Sequence, residues 1–161
     1  MPPTIPFLTA RWTELLLLNF LVPVDEIARL APPGTEPDLF QGQALISIVG
    51  FQFRDTRVLG CRLPVHTCFP EINLRYYVRH TAADEIRRGV VFVKEIVPRR
   101  LIALVANTIY NENYIARPMR SAPQIAGPEL TVGDTLSYAW QSRGRAGQHW
   151  NTLAARVAAT P

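Results

Sequence analysis

Apolar and polar residues alternate along the segment EINLRYYVR, residues 71–79. Successive side chains of a β-strand point to opposite sides of the sheet, so this period of two predicts a strand with one side in the core. The even positions, which we expect to be buried in the main core, are Ile72, Leu74, Tyr76 and Val78. The odd positions begin with Glu71, Asn73 and Arg75. The pattern alone leaves open whether these three face bulk water or an enclosed pocket.

Further short strands are predicted along the rest of the chain. The apolar run 15–22 is interpreted as a buried strand, although a helix also fits its pattern. The segment 149–158 fits either a returning strand or a last helix. Strands rich in β-branched, aromatic or alternating residues are predicted at 43–53, 57–65, 90–97 and 135–141, with turns at 54–56 and 142–147.

Helical and irregular segments are fewer. A short helix is predicted at 25–34, because acids stand at its start and Pro32-Pro33-Gly34 stops it. The segment 101–114 is ambiguous, with a helical pattern as far as Asn107. Segments 79–89 and 118–128 are predicted to be loops, the first with one helical turn at most.

Several short strands with few long helical patterns predict a mainly β (α+β) fold. We expect an antiparallel, β-barrel-like sheet with a few flanking helices, because closure removes exposed strand edges. At 161 residues, the chain is predicted to form one domain, 1–161. In a small barrel, a polar side of a strand can point into the lumen.

Composition excludes several function classes. The net charge is +4, but the arginines are scattered without a recognisable nucleic-acid-binding motif, so no nucleic-acid partner is predicted. Three separated histidines and two cysteines predict no metal site and no cofactor. The longest apolar run is too short to span a membrane, and no signal peptide is recognised. We therefore expect a cytoplasmic protein without a membrane partner.

Four segments in the same order resemble one known family. They are PPGTEPDLFQGQALISIVGFQF, HTCFPEINLRYYV, RRGVVFVKEIVPRRLIAL and IYNENYIARPM. Together they are similar to the YqjF-like family of uncharacterised proteins, which is grouped with acetoacetate decarboxylase in one superfamily. The likeness runs from about Trp12 to Met119. It implies a β-barrel-like antiparallel sheet around a central cavity, and family members that continue beyond the end of this chain.

The resemblance also implies a missing catalytic group. The decarboxylase has a Pro-Lys-Lys-Leu stretch in which one lysine forms a Schiff base with the keto acid. This chain has Pro98-Arg99-Arg100-Leu101 at the matching place, and arginine stays protonated and is not an imine-forming nucleophile. Lys94, the only lysine, lies at an odd offset from Arg99, so a bulge is needed to bring both to one side of a strand. Imine-based decarboxylation is therefore not predicted.

The candidate site begins with Glu71, whose context FPEINLR is similar to the segment that carries an active-site glutamate in the decarboxylase. Glu71 is the candidate catalytic acid or base, and Arg75 is suited to bind a carboxylate or phosphate. The alternative is a structural Glu–Arg pair on an outward side. The candidate substrate-binding residues are Asn73, Arg75, Glu95, Arg99, Glu112 and Tyr114.

The sequence therefore predicts a small-molecule-binding β-barrel domain with an Arg/Glu-lined cavity for a small organic acid or another anionic or carbonyl compound. Catalysis without an imine is left open. A non-enzymatic structural or oligomerisation module is the alternative, and homo-oligomer formation is also left open.

Overall fold

The computed structural model describes residues 8–62, 67–83, 85–110, 113–127, 129–145 and 147–159, apart from the side chains at 8, 106, 109 and 110. This part of the chain is mostly β-structure. The strands are β1 (Leu8–Val22), β2 (Glu36–Pro37), β3 (Ala44–Val58), β4 (Cys61–Arg62), β5 (Phe69–Thr81), β6 (Ile86–Val97), β7 (Tyr114–Ala116), β8 (Met119–Ser121), β9 (Thr135–Gly144) and β10 (Gly147–Arg156), and the helices are α1 (Val24–Leu30) and α2 (Arg100–Tyr110).

The described strands form two open sheets. The large sheet has the order β1-β3-β5-β6-β7, with β2 beside β5 and β4 beside β3, and the small sheet has the order β10-β9-β8. The mainly β prediction is confirmed, but the expected barrel-like closure is not found among these strands, because β1 and β7 stand at opposite ends of the large sheet. The pairing also departs from a purely antiparallel sheet, since β6 and β7 run parallel.

The turn predicted at 54–56 is wrong, and β3 continues through it to Val58. Asp55 takes a left-handed backbone conformation with φ 53°, which aspartate tolerates better than most residues. The pairing with β1 shifts by one residue there, so the segment forms a bulge instead of a turn. The turn comes at Leu59-Gly60 and leads into the two-residue β4. Residues 63–65 of the predicted strand 57–65 lie outside the described residues.

Other boundaries also differ from the prediction. The predicted loop 79–89 is mostly strand, because β5 extends to Thr81 and β6 begins at Ile86. The ambiguous segment 101–114 is helical from Arg100 to Tyr110. The predicted loop 118–128 contains β8, and the last segment is a strand paired with β9.

One side of the large sheet, which we call the Ile72 side, holds most of the apolar packing. Ile72 lies in a buried cluster with Leu136, Tyr138 and Leu153 of the small sheet. At Gly50 of β3, an added Cβ would lie 2.6 Å from the Tyr138 ring. Further along β5, helix α1 covers the same side through buried contacts of Ile27 with Tyr76 and Val78. Leu74 is only partly buried, so the core prediction for β5 fails there.

The opposite side, which we call the Glu71 side, is covered at one end by helix α2. Ala103 of α2 packs with Val49, Phe51 and Val97 in a buried cluster that also contains Phe53 and Phe69. The Phe53 and Phe69 rings stack with centroids 4.7 Å apart. The residues that the alternation placed at odd positions of β5 lie on this same side. Helix α2 and the aromatic cluster therefore close one end of the candidate site.

Candidate functional site

The odd positions of β5 do not face bulk water at the start of the strand. The exposed fraction is 2% for Glu71 and 3% for Asn73. Their direct neighbours on β3 are Phe51 and Val49, so an acid and an amide are buried beside apolar side chains. A buried polar group is costly unless it forms hydrogen bonds, and this cost makes the region a candidate site.

A bulge in β6 brings Glu95 to the same side. Asn73 pairs with Glu95 and Leu74 with Lys94, but Arg75 pairs with Phe92, so β6 has one extra residue at Val93. Without this extra residue, strand alternation would place Phe92 and Glu95 on opposite sides of the sheet. Glu95 is 3% exposed and lies directly beside Asn73.

Tyr114 of β7 connects the two glutamates. It is the direct parallel neighbour of Glu95, and its hydroxyl donates a hydrogen bond to Oε2 of Glu71 over 2.9 Å. Burial raises the pKa of Tyr114 well above its usual value, and the charges of Glu71 and Glu95 raise it further. Tyr114 is therefore a protonated donor at neutral pH.

The amide of Asn73 completes this group. Its Nδ2 donates to Oε1 of Glu71 over 3.3 Å. Its Oδ1 is buried and has no hydrogen-bond partner in the described part of the chain. Glu71 thus receives one hydrogen bond from an amide and one from a phenol, which hold its carboxyl group in a fixed orientation.

Arg75 lies further along the same side of β5 and is half-buried. The Nε atom of Arg75 is buried and has no hydrogen-bond partner among residues that the structure describes. The guanidinium lies 5.8 Å from the centre of the Tyr77 ring. Because its Nε–H has no partner among the described residues, the guanidinium has a donor left to bind a carboxylate.

The sequence analysis missed a hydroxyl cluster next to Arg75. Ser47 of β3 is fully buried and is the direct neighbour of Arg75. Its Oγ lies 2.5 Å from Oδ1 of Asn19 and 2.8 Å from the hydroxyl of Tyr77. The available signal was that Ser47 is polar in the otherwise apolar row of Leu45, Val49 and Phe51.

Arg99 lies beyond the end of its strand, so strand parity does not apply to it, whereas Lys94 lies on the side away from Glu71, as parity predicted. The strand β6 ends at Val97, and Arg99 precedes helix α2 with its backbone oxygen accepting from Ala103 over 3.3 Å. Lys94 pairs with Leu74 on the Ile72 side, and its Nζ donates to Oδ1 of Asn113 over 2.8 Å. The predicted site residue Glu112 lies outside the described residues.

A concave region lies elsewhere on the molecule. It is a cleft of about 510 Å³. Its two arginines already have acidic partners, since Arg11 pairs with Asp55 over 2.9 Å and Arg54 pairs with Glu14. The hydrogen bond from Arg54 to Glu14 raises the pKa of that arginine. The described lining residues are Arg11, Thr13, Glu14, Arg54, Pro123, Ile125, Gly127 and Leu130.

No group of three His, Cys, Asp or Glu residues within the described ranges is close enough to hold a metal ion. None of the described helices is long and apolar enough to cross a membrane.

Comparison with known proteins identifies the family. The model of DUF2071, a family of uncharacterized conserved proteins, matches residues 9–161. The chain belongs to this family. It is also 30% identical over 139 residues to the uncharacterized protein YqjF of Bacillus subtilis (strain 168), a match that covers 86% of this chain and 52% of YqjF. The predicted YqjF-like resemblance is confirmed.

Solved structures support the fold. The enduracididine biosynthesis enzyme MppR complexed with pyruvate is similar with a TM-score of 0.61 and 15% identity, covering 89% of this chain and 55% of MppR. The MppR complex with the condensation product of pyruvate and imidazole 4-carboxaldehyde gives the same TM-score at 16% identity, covering 89% of this chain and 54% of MppR. This chain therefore spans about half the length of YqjF and of MppR.

Proposed function

We propose that the Glu71 side of the large sheet binds a small carboxylic acid or carbonyl compound. The observation that carries this proposal concerns Arg75. This residue is half-buried, and its Nε has no hydrogen-bond partner among the described residues. A guanidinium binds a carboxylate with two parallel hydrogen bonds, which is the strongest pairing open to this group. The carboxylate of the ligand binds at Arg75.

The rest of the ligand lies toward the glutamates. Glu71 and Arg75 are about 13 Å apart along the strand, and Asn73 lies between them. An acid bound at Arg75 is therefore directed toward Oδ1 of Asn73, which no described residue bonds, and beyond it toward Glu71 and the Tyr114 hydroxyl. A buried carboxyl group beside a protonated phenol is suited to move a proton or to orient a carbonyl oxygen.

The likeness to MppR supports this ligand class. MppR has been solved with pyruvate, which is a small acid that also has a carbonyl group. At 15% identity the likeness concerns the fold, so the ligand class comes to this chain only as part of the proposal.

Reaction through an imine does not fit the placement of Lys94. Its Nζ is bonded to Asn113, and it pairs with Leu74 on the side opposite to Glu71. Treatment with borohydride and pyruvate should therefore leave Lys94 unmodified, as judged by the mass of the peptide that contains it. A stoichiometric reduced adduct on Lys94 would contradict this part of the proposal.

Titration calorimetry tests the binding itself. We expect a small acid such as pyruvate to bind, and Arg75→Ala to weaken the binding about tenfold or more, since hydrogen bonds to a charged group contribute about 1.5–3 kcal/mol. The matched control is Arg87→Ala, because Arg87 is exposed and paired with Glu85 over 3.1 Å. The proposal is wrong if no acid of a broad panel binds, or if both variants weaken binding equally.

A further inference from the structure

Strand β1 carries several exposed large apolar side chains along the free edge of the large sheet. β1 is 15 residues long and stands at the end of the large sheet, where β3 is its partner on one side. Its run from Leu15 to Val22 contains no charge and no proline. Large side chains along β1 are exposed on both sides of the sheet: Trp12, Leu15, Leu17, Leu18, Phe20 and Leu21.

The other described edges are protected in ways that β1 is not. The edge at β8 is three residues long, and next to the three-residue β7 the outer edge of β6 carries Arg87, Arg88 and Lys94. The edge at β10 is 10 residues long, but it carries His149, Asn151 and Arg156. Proteins protect sheet edges by short length or by charge, and a long, uncharged, apolar edge is a template for pairing with another strand.

We propose that β1 pairs antiparallel with β1 of a second copy of this chain, so that two large sheets join into one. A two-fold axis brings the same surface of both copies together. With the axis at Leu18, Leu16 lies opposite the second copy's Phe20, and Leu15 lies opposite its Leu21. The uncharged run then pairs with itself, whereas Arg11 and Glu14 lie outside it.

The exposed area supports an interface on both sides of the strand. Leu17 and Leu21 lie on the Glu71 side, and Leu18 and Phe20 lie on the Ile72 side. Leu21 is 60% exposed and Leu15, which lies opposite it in the second copy, is 48% exposed. With the axis at Leu18, residues 14–22 of the two copies pair over about 30 Å of edge. This pairing satisfies the outward backbone groups and removes apolar side chains on both sides of the strand from water.

This interface also borders the candidate site without depending on ligand binding there. Asn19 of β1 lies beside Ser47, and Ser47 neighbours Arg75. A strand added at β1 therefore forms a wall next to the hydroxyl cluster. The pairing is a property of the edge and would hold even if no acid binds at Arg75.

Sedimentation equilibrium of the 161-residue chain tests the pairing. We expect a dimer for the unchanged chain and loss of the dimer for Leu21→Lys, and also for Leu15→Lys in case the first variant does not fold. The control is Leu104→Lys, because Leu104 is 59% exposed on α2, away from the edge, and this variant should remain dimeric. A monomeric unchanged chain, open-ended larger assemblies, or a dimer that survives both edge variants would overturn the proposal.

Disulfide cross-linking tests the register. In a chain with Cys61→Ser and Cys68→Ser, which removes two exposed thiols, Leu18→Cys should give a covalent dimer on oxidation because residue 18 faces its own copy. Trp150→Cys on the edge of β10 should stay monomeric on a denaturing gel. A covalent dimer through residue 150 and none through residue 18 would assign the interface to the small sheet and overturn the proposal.

Discussion

The two sides of β5 are both buried at the start of the strand, but different forces hold them. Ile72 packs against Leu136, Tyr138 and Leu153, so the Ile72 side is held by close packing between two sheets. Glu71 instead accepts hydrogen bonds from Tyr114 and Asn73. Packing depends on volume, whereas a buried hydrogen-bonded group depends on its partners. Substitutions on the two sides should therefore lower the free energy of unfolding for different reasons and by different amounts.

Tyr138→Ala should give the largest effect, on the Ile72 side. The Tyr138 side chain is fully buried, and its removal leaves a cavity between the sheets. We expect a loss of about 3–5 kcal/mol in the free energy of unfolding, measured by denaturant titration.

Tyr138→Phe is the matched variant, because it keeps the ring and loses only the hydrogen bond to the backbone oxygen of Glu14. Its cost should be about 0.5–1.5 kcal/mol. Equal losses for the two variants would mean that packing does not dominate this side.

Gly50→Ala should give the next effect, also on the Ile72 side. The new Cβ would lie 2.6 Å from the Tyr138 ring, which is fully buried and therefore has little room to move. We expect a loss of about 1–3 kcal/mol from overpacking, measured by thermal or denaturant unfolding.

Gly89→Ala serves as the control for Gly50→Ala, since no atom lies within 4 Å of a Cβ built at Gly89. This second variant should be close to neutral. A similar loss at both positions would point to a general effect of replacing glycine in a strand.

Tyr114→Phe should have a smaller effect on stability, on the Glu71 side. The variant keeps the ring but removes the hydroxyl that donates to Glu71. We expect a loss of about 1 kcal/mol in the free energy of unfolding, together with weaker binding of small acids. If stability falls and binding is unchanged, the Tyr114–Glu71 contact is structural only.

A substitution at Asp134 should have the smallest effect on stability. Unlike Glu71, this carboxylate accepts hydrogen bonds from backbone nitrogens. These are the backbone nitrogens of Thr131 and Ala126, at distances of 2.8 and 3.2 Å. The hydrogen bond from the Thr131 backbone lowers the pKa of Asp134 below its usual value. A lowered folded-state pKa stabilises the fold above the unfolded-state value, and this contribution is lost as the pH falls through the folded-state pKa.

Asp134→Asn should therefore be less stable than the unchanged chain at pH 7, and the difference should shrink below about pH 4. Unfolding measured at a series of pH values checks this. A difference that stays constant across the series would mean that the charge of Asp134 is not the cause.

The apolar side of this comparison was largely predictable from the sequence. A period of two gave the strand at 71–79 and the burial of Ile72, Tyr76 and Val78. The sequence could not predict that Asp55 forms a bulge and not a turn, because aspartate in a left-handed conformation is common in both. The apolar run 15–22 was a strand as predicted but not a buried one, since β1 is at the edge of its sheet. Position in a sheet is a property of the whole fold.

The polar side was predictable only in part. Alternation placed Glu71, Asn73 and Arg75 on one side, but it could not say that the first two are buried. Glu95 reaches that side because of the bulge at Val93, and a bulge changes strand parity without a clear signal in the sequence. Asn19, Ser47 and Tyr77 come from three strands, so their cluster depends on register between strands.

The most direct test of the proposed acid-binding site observes the Arg75 Nε–H by nitrogen-15 NMR, with the signal assigned by its loss in Arg75→Lys. The Nε of Arg75 has no hydrogen-bond partner among the described residues. Titration with pyruvate should shift this signal saturably, while the signal of Arg87 stays in place. A saturable shift elsewhere on the protein with an unmoved Arg75 signal, or no shift of any signal, would contradict the account.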